Sequence, residues 1–148
     1  MEVLLKIQKL SDLEGFEVPK PMSEHASGMD LRAAIEEPIL LKAGERALIP
    51  CGFAMEIPVG YEAQIRPRSG LAFRHGLTCL NTPGTIDADY RGEIKVLLAN
   101  LGEKDFTIQA WDRIAQMVIQ QVPQVKVEVV TSLSDTSRGE GGFGSTGV

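Results

Sequence analysis

The chain has 148 residues, the length of one domain, with 43% apolar residues for a core but only 5% aromatic ones. A net charge of −5 and a pI near 5.1 exclude a general nucleic-acid-binding surface, which needs a basic footprint. They leave room for one anion held by a few local arginines.

Short apolar segments broken by turn residues run the length of the chain. "MEVLLKIQKL" alternates imperfectly through Val3, Leu5 and Ile7 and predicts a strand. "PILLKAGERALIPCGFAMEI" predicts two strands around a turn at Ala43-Gly44, and "YEAQIRPR" alternates again. "SGLAFRHG" predicts a short helical turn, with Ser69 as its cap and Gly76 as its stop. "GEIKVLLANLG" and "DFTIQAWDRIAQMVIQQV" predict longer strands. In "VKVEVV", Val125, Val127 and Val129 share one face of a further predicted strand. Many short strands with turns between them predict an all-β sandwich or barrel. The last eleven residues, "RGEGGFGSTGV", have five glycines and no apolar period, and predict a flexible tail.

Cys51 and Cys79 lie in apolar runs without a second ligand at metal spacing, which predicts buried free thiols and a reducing compartment. No segment reads as a signal peptide or a membrane-spanning helix, so the expected location is cytoplasmic, with no membrane partner.

Five stretches are more polar than a β core requires. In "ASGMDLRAA", Asp30 is either a strand-end carboxylate or a site group. "RPRSGLAFRHG" gathers Arg66, Arg68 and Arg74 beside a helical turn, which suits phosphate as well as it suits a solvated loop. "NTPGTIDADYRGE" sets Asp87 and Asp89 on one side of an extended segment of an expected hairpin, as metal ligands or with one as general base, and adds the ring of Tyr90. "WDRIAQMVI" holds a candidate Asp112–Arg113 ion pair and Gln116, a structural hydrogen-bonder or a site group. The tail places Arg138, Phe143, Ser145 and Thr146 on a glycine backbone, groups suited to phosphate and to a base. No GxGxxG, Walker loop, HExxH or GxSxG is present.

Taken in this order from Ala26 to Gly147, the five stretches resemble the motifs of the trimeric all-β deoxyuridine triphosphatase (dUTPase) family. Trp111 stands where the family often has Gly, and Arg74 where Lys is common. The resemblance implies a distorted jelly-roll-like β-barrel over residues 1–137 and a flexible arm over 138–148 that closes over an active site. It implies hydrolysis of dUTP to dUMP and pyrophosphate with Mg2+, which limits uracil in DNA and supplies dUMP for dTTP synthesis. It implies a homotrimer with sites at subunit boundaries.

The same resemblance assigns roles. Asp87 would be the base activating the water that attacks the α-phosphorus. Arg68, Ser69, Gly70 and Gln116 would hold phosphates, and Asp30 would hold magnesium through water. Asn81 and the backbone from Gly84 through Ile86 to Lys95 would read uracil, with Tyr90 under the deoxyribose. Phe143 would stack on the base, Arg138, Ser145 and Thr146 would reach the γ-phosphate, and Gly144, also substrate-binding, would let the backbone wrap closely. A dCTP deaminase would need a glutamate in the strand after the hairpin, where this chain has apolar residues from Val96 to Leu98.

Overall fold

Alternation of apolar side chains drives strand formation here, as the segment from Tyr61 to Arg66 illustrates: Ala63 and Ile65 are buried and their neighbours face outward. The computed structural model describes residues 2–147. These form β1 (Lys6–Lys9), β2 (Gly28–Arg32), β3 (Ile39–Leu41), β4 (Arg46–Pro50), β5 (Phe53–Glu56) and β6 (Tyr61–Arg66). One helix, α1 (Ser69–His75), follows, then β7 (Leu77–Cys79), β8 (Gly84–Ile86), β9 (Lys95–Asn100), β10 (Phe106–Ile108) and β11 (Arg113–Gln121). None of the described helices is long and apolar enough to cross a membrane.

The fold is all-β and jelly-roll-like, as expected, but its hydrogen bonds do not close into one barrel. The strands form a sheet of order β2-β11-β6-β8, a second of order β4-β9-β7, and the pairs β1-β5 and β10-β3. One core joins the two larger sheets. Leu31, Ala63, Ile65 and Met117 come from the first, and Ile49, Leu77, Val96 and Leu98 from the second. Burying each of the larger side chains contributes roughly 1.5–3 kcal/mol.

Asn100 is the one buried polar side chain among the described residues. Its amide nitrogen donates to the carbonyls of Leu41 (3.0 Å) and Lys104 (2.8 Å), and its oxygen accepts from the Gly102 N–H. The amide therefore ties β3 and the 101–105 turn to the end of β9.

Several local expectations need correction. "PILLKAGERALIPCGFAMEI" makes three strands, not two, because Gly52 turns the chain with φ +79° between β4 and β5. β3 pairs with β10 instead of folding back on β4. Ser69 is the first helical residue, and Arg68 is the N-cap, without a side-chain cap bond; Gly76 ends the helix at φ +70° as expected. "VKVEVV" forms no strand, and Val125, Val127 and Val129 are exposed. The pattern lacks a partner: β11 ends at Gln121, and no described segment offers 122–130 a ladder.

Candidate functional site

Three strands of the larger sheet bring one row of side chains into register. Asp30 on β2 lies opposite Gln116 on β11, which lies opposite Arg66 on β6. Gly28 makes room for this row, since a Cβ there would collide with the Gln116 amide oxygen. The Gln116 amide nitrogen donates to the Pro67 carbonyl at 2.9 Å, so this glutamine fixes the chain just before α1.

Asp30 is the centre of the charges. Its carboxylate lies 3.2 Å from Arg68 Nε and 3.3 Å from Arg113 Nη1, with the aspartate side chain only 16% exposed. The expected Asp112–Arg113 pair is absent: the Asp112 carboxylate accepts the Gln109 N–H at 2.8 Å. A register shift between Arg113 and Ala115 on β11 explains the difference, because a bulge re-aims a side chain along the strand. The sequence marks Arg113 only as a partner for Asp112, not as a site residue. Its signal was the pairing of its strand with the Asp30 strand, which sequence alone does not display. The Arg68 guanidinium also donates to the Arg113 carbonyl at 3.2 Å.

Beyond Arg68 the chain enters α1. The first backbone bond of the helix runs from the Ala72 N–H to the Arg68 carbonyl, so the N–H groups of Ser69, Gly70 and Leu71 have no intrahelical acceptor. Arg74 folds back over Gly70, where a Cβ would sit 2.8 Å from its guanidinium. Arg68, Ser69, Gly70, Asp30 and Gln116 therefore come together at one corner of the sheet. A hollow of about 220 Å³ opens beside them, lined by Arg68, Leu71, Phe106, Asp112, Arg113 and Ile114. Several donors and two arginines around one half-buried carboxylate can hold a polyanion.

Asn81, Gly84, Ile86, Asp87, Tyr90 and Lys95 form a second group. The Asn81 amide lies across Gly84, 3.2 Å from where a Cβ would stand. The expected hairpin from 84 to 95 is not laddered: β8 pairs with β6, while β9 pairs with β4 and β7. The segment instead bridges the two sheets as a loop. Asp87 opens a turn closed by the Tyr90 N–H on its carbonyl at 3.1 Å, so Asp87 and Asp89 do not share one side of an extended strand. The Asp87 carboxylate is exposed and takes no hydrogen bond or ion pair among the described residues. It borders a different hollow, of about 240 Å³, with Tyr61, Glu62, Val122 and Pro123.

Within one chain Gly84 approaches the corner, since it faces Ile65 beside Arg66, but the Asp87 end of the second group lies farther off. Ile86 faces Ala63, three residues along β6 from Arg66 and hence roughly 10 Å away at strand spacing. The two hollows share no lining residue.

The described residues of the tail make no hydrogen bond or ion pair to either group. Its described bonds are local, such as Arg138 Nε to the Gly141 carbonyl at 2.8 Å and the Ser145 N–H to the Gly142 carbonyl at 3.0 Å. Phe143 is fully exposed, and Arg138, Gly144, Ser145 and Thr146 are exposed as well. The end of the expected arm, Val148, and Met1 at the other terminus lie outside the described residues.

No group of three or more His, Cys, Asp or Glu that could cage a metal occurs among the described residues. Asp30 uses one acceptor position per oxygen on its arginines, and a carboxylate has about four, so it can still accept from metal-bound water. The donor set thus fits magnesium, which keeps its waters, and not a dry protein cage. Both cysteines are free and buried. Cys51 donates its N–H to the Ile94 carbonyl, and Cys79 faces Leu98 on the other side of β9. Burial pushes the thiols up to about 12 and about 11 respectively, and the Glu93 charge adds to the shift of Cys51.

The dUTPase family model matches residues 14–147 of this chain. A deoxyuridine 5'-triphosphate nucleotidohydrolase of Rhizobium etli is 60% identical over 146 residues, covering 97% of this chain and 94% of that protein. Among solved structures, the dUTPase of Staphylococcus bacteriophage 80alpha with dUPNHPP superposes with a TM-score of 0.87 at 26% identity, covering 98% of this chain and 99% of that one. A mutant dUTPase from phage phi11 of S. aureus, described with a coordinated structural Mg(II) ion, gives a TM-score of 0.77 at 23% identity over 87% of this chain and 97% of that one.

Proposed function

The chain belongs to the dUTPase family, and from that premise we infer that it hydrolyses dUTP to dUMP and pyrophosphate. The observation that carries this reading to residues is the corner where Arg68, Ser69, Gly70 and Gln116 converge beside Asp30. Guanidinium and unused backbone N–H groups there suit a triphosphate, and Arg113 joins them as a further cation.

Asp87 is the general base. An exposed carboxylate with no internal partner can accept a proton from water and aim that water at the α-phosphorus, which is worth ~10²–10⁴-fold in rate. Asn81, Gly84, Ile86 and Lys95 read uracil along the loop between the sheets, and the Tyr90 ring underlies the deoxyribose. A base lacking the matching donors and acceptors leaves polar groups unpaired. Magnesium, held by the triphosphate and by water on Asp30, offsets charge on the phosphate oxygens when bound.

The reading requires more than one chain at each site. Asp87 and Arg68 border separate hollows of one chain, and the apolar face of Val125, Val127 and Val129 is left uncovered. Both features support a homotrimer whose sites lie at subunit boundaries, each closed by an arm of residues 138–148 that bends at Gly144 and carries Phe143 to the base and Arg138, Ser145 and Thr146 to the γ-phosphate. Sedimentation at micromolar concentration checks this, and a single-subunit mass would count against it. Free buried thiols support a reducing, cytoplasmic location.

The test of function is pyrophosphate release from dUTP against dCTP, dTTP and UTP, with and without magnesium. Only dUTP with magnesium should be turned over efficiently. Comparable turnover of dCTP or UTP would overturn the assignment of the base- and sugar-reading residues.

A further inference from the structure

Arg91 has no part in the roles described so far, yet it is placed to control two residues that do. Its Nη1 donates to the Ala88 carbonyl at 2.7 Å and to the Tyr90 carbonyl at 3.0 Å. An exposed arginine ordinarily leaves its donors to water or to a carboxylate. This one turns back onto carbonyls of its own loop. The same turn is closed by the Tyr90 N–H on the Asp87 carbonyl and by the Tyr90 hydroxyl on the Glu93 carbonyl, both at 3.1 Å. Gly92 completes the arrangement: a Cβ there would stand 2.6 Å from Tyr90 Cζ, so the hydroxyl end of the ring lies against the backbone at residue 92.

We propose that Arg91 is a positioning residue for the reaction, stapling the 87–93 loop so that the Tyr90 ring and the Asp87 carboxylate keep a fixed spacing. The inference rests on the assignment of Tyr90 to the sugar and Asp87 to the water. A loop this exposed, bridging two sheets without a ladder of its own, otherwise has little to hold its shape. The outer side of Arg91 faces a hollow of about 170 Å³ that also contains Lys6, Gln8, Met55 and Glu56. Lys6 and Glu56 are paired there at 2.9 Å. The Glu56 carboxyl is held below its ordinary value by the hydrogen bond and charge of Lys6 first, and by Arg91 more weakly. Glu56 thus faces the guanidinium from β5 without taking it from the loop carbonyls.

The consequence is a change in discrimination, not only in rate. With the staple gone, the Tyr90 ring is free to shift and the space for a ribose 2′-hydroxyl opens. The experiment compares kcat/KM for dUTP and for UTP in the wild type, Arg91→Ala and Arg91→Lys, each checked for an unchanged melting temperature and assembly mass. The expected result for Arg91→Ala is a loss of dUTP-over-UTP preference by about three- to tenfold, the size of one net hydrogen bond. Arg91→Lys should lose preference in the same direction, because the shorter lysine stem does not bring its nitrogen to the place where Nη1 meets both carbonyls. It carries the test alone if the alanine variant does not fold. If both substrates fall equally, or neither variant changes the ratio, Arg91 does not position Tyr90 and the proposal fails. A wild type without preference for dUTP would instead overturn the Tyr90 assignment itself, before Arg91 is considered.

Discussion

β11 and the segment that follows it carry similar apolar patterns and meet opposite fates. In β11, Ile114, Ala115, Met117 and Val118 are buried, and the strand is laddered on one side by β2 and on the other by β6. A few residues later, Val125, Val127 and Val129 alternate more cleanly, yet they are 79%, 82% and 96% exposed and unladdered. Pattern nominates a face; a partner makes the strand. The body finds its partners within the chain, whereas beyond the Val122 N–H on the Gly60 carbonyl the described residues up to Val130 have no ladder. For residues 125–129 the proposed partner is a second subunit, and for the glycine-rich tail it is nucleotide. Stability should therefore reside in the body, while catalysis draws on both regions.

The largest effect expected in the body leaves stability alone. Asp87→Asn is nearly isosteric, and the Asp87 carboxylate makes no internal hydrogen bond or ion pair among the described residues, so fold and substrate binding should persist. Turnover should fall by at least ~10²-fold, the lower end for loss of a general base. Steady-state kinetics beside a binding titration measure both. Near-normal turnover would remove Asp87 from the mechanism.

Next comes deletion after Ser137, which tests the other side of the contrast. The tail's described bonds are local, so the melting temperature and assembly mass should hardly move. Activity should fall steeply, on the order of tenfold or more, since one aromatic stack on a base is worth about 1–3 kcal/mol and charge-assisted bonds to phosphate add to it. Phe143→Ala should cost less than the deletion. A truncated protein that cleaves dUTP at the full rate would leave the tail without a catalytic role.

How much of this was legible in the sequence follows the same division. Where a strand's partners lie within the chain, alternation sufficed, as in Tyr61–Arg66, and Gly76 ended α1 at the place its type predicts. Positive φ at Trp111, +62°, gives a physical reason for the glycine often found there in the family. Here the cost of that conformation is met by the indole, which donates to the Glu14 carbonyl at 2.6 Å and packs edge-on against Phe16. What sequence did not reveal depends on pairing between distant segments. The bulge that sends Arg113 to Asp30 instead of Asp112 is one case. The assignment of β8 and β9 to different sheets, which turns an expected hairpin into a bridge, is another. Apolar pattern specifies a face but not the strand it will meet.

Asn100 is where the body should show its dependence on internal partners. Asn100→Ala would strand the Leu41 carbonyl in a buried place and leave the partly exposed Lys104 carbonyl and Gly102 N–H without their partner. Leaving such groups unpaired costs about 1–3 kcal/mol, which at this chain length lowers the melting temperature by roughly 2–12 °C. Turnover per folded molecule should be retained, because Asn100 belongs to neither candidate group. Calorimetry and active-site titration separate the two effects. A variant with an unchanged melting temperature would mean that water satisfies these groups and that the side chain adds little.

The smallest effect concerns the two thiols, and it sharpens the contrast by what should not happen. Cys51 and Cys79 are buried in the body, and their folded pKa values of about 12 and about 11 lie above the ordinary 9. Below pH 9 the thiols are protonated both folded and unfolded, so their titration leaves stability unchanged there. Above pH 9 the unfolded chain releases these protons and the folded chain does not, so folding should weaken from pH 9 as pH rises toward 12. At pH 8 the native protein should react with a thiol reagent only as fast as it opens, because thiolate is the reactive form and both sulfurs are enclosed. Adding denaturant should expose two thiols together, as expected if β4, β7 and β9 unfold as one body. Truncation after Ser137 should leave the native labelling rate unchanged, since the tail covers neither cysteine. Rapid labelling of one thiol in the native protein would show that the core opens locally, and that order in the body is less uniform than its ladders imply.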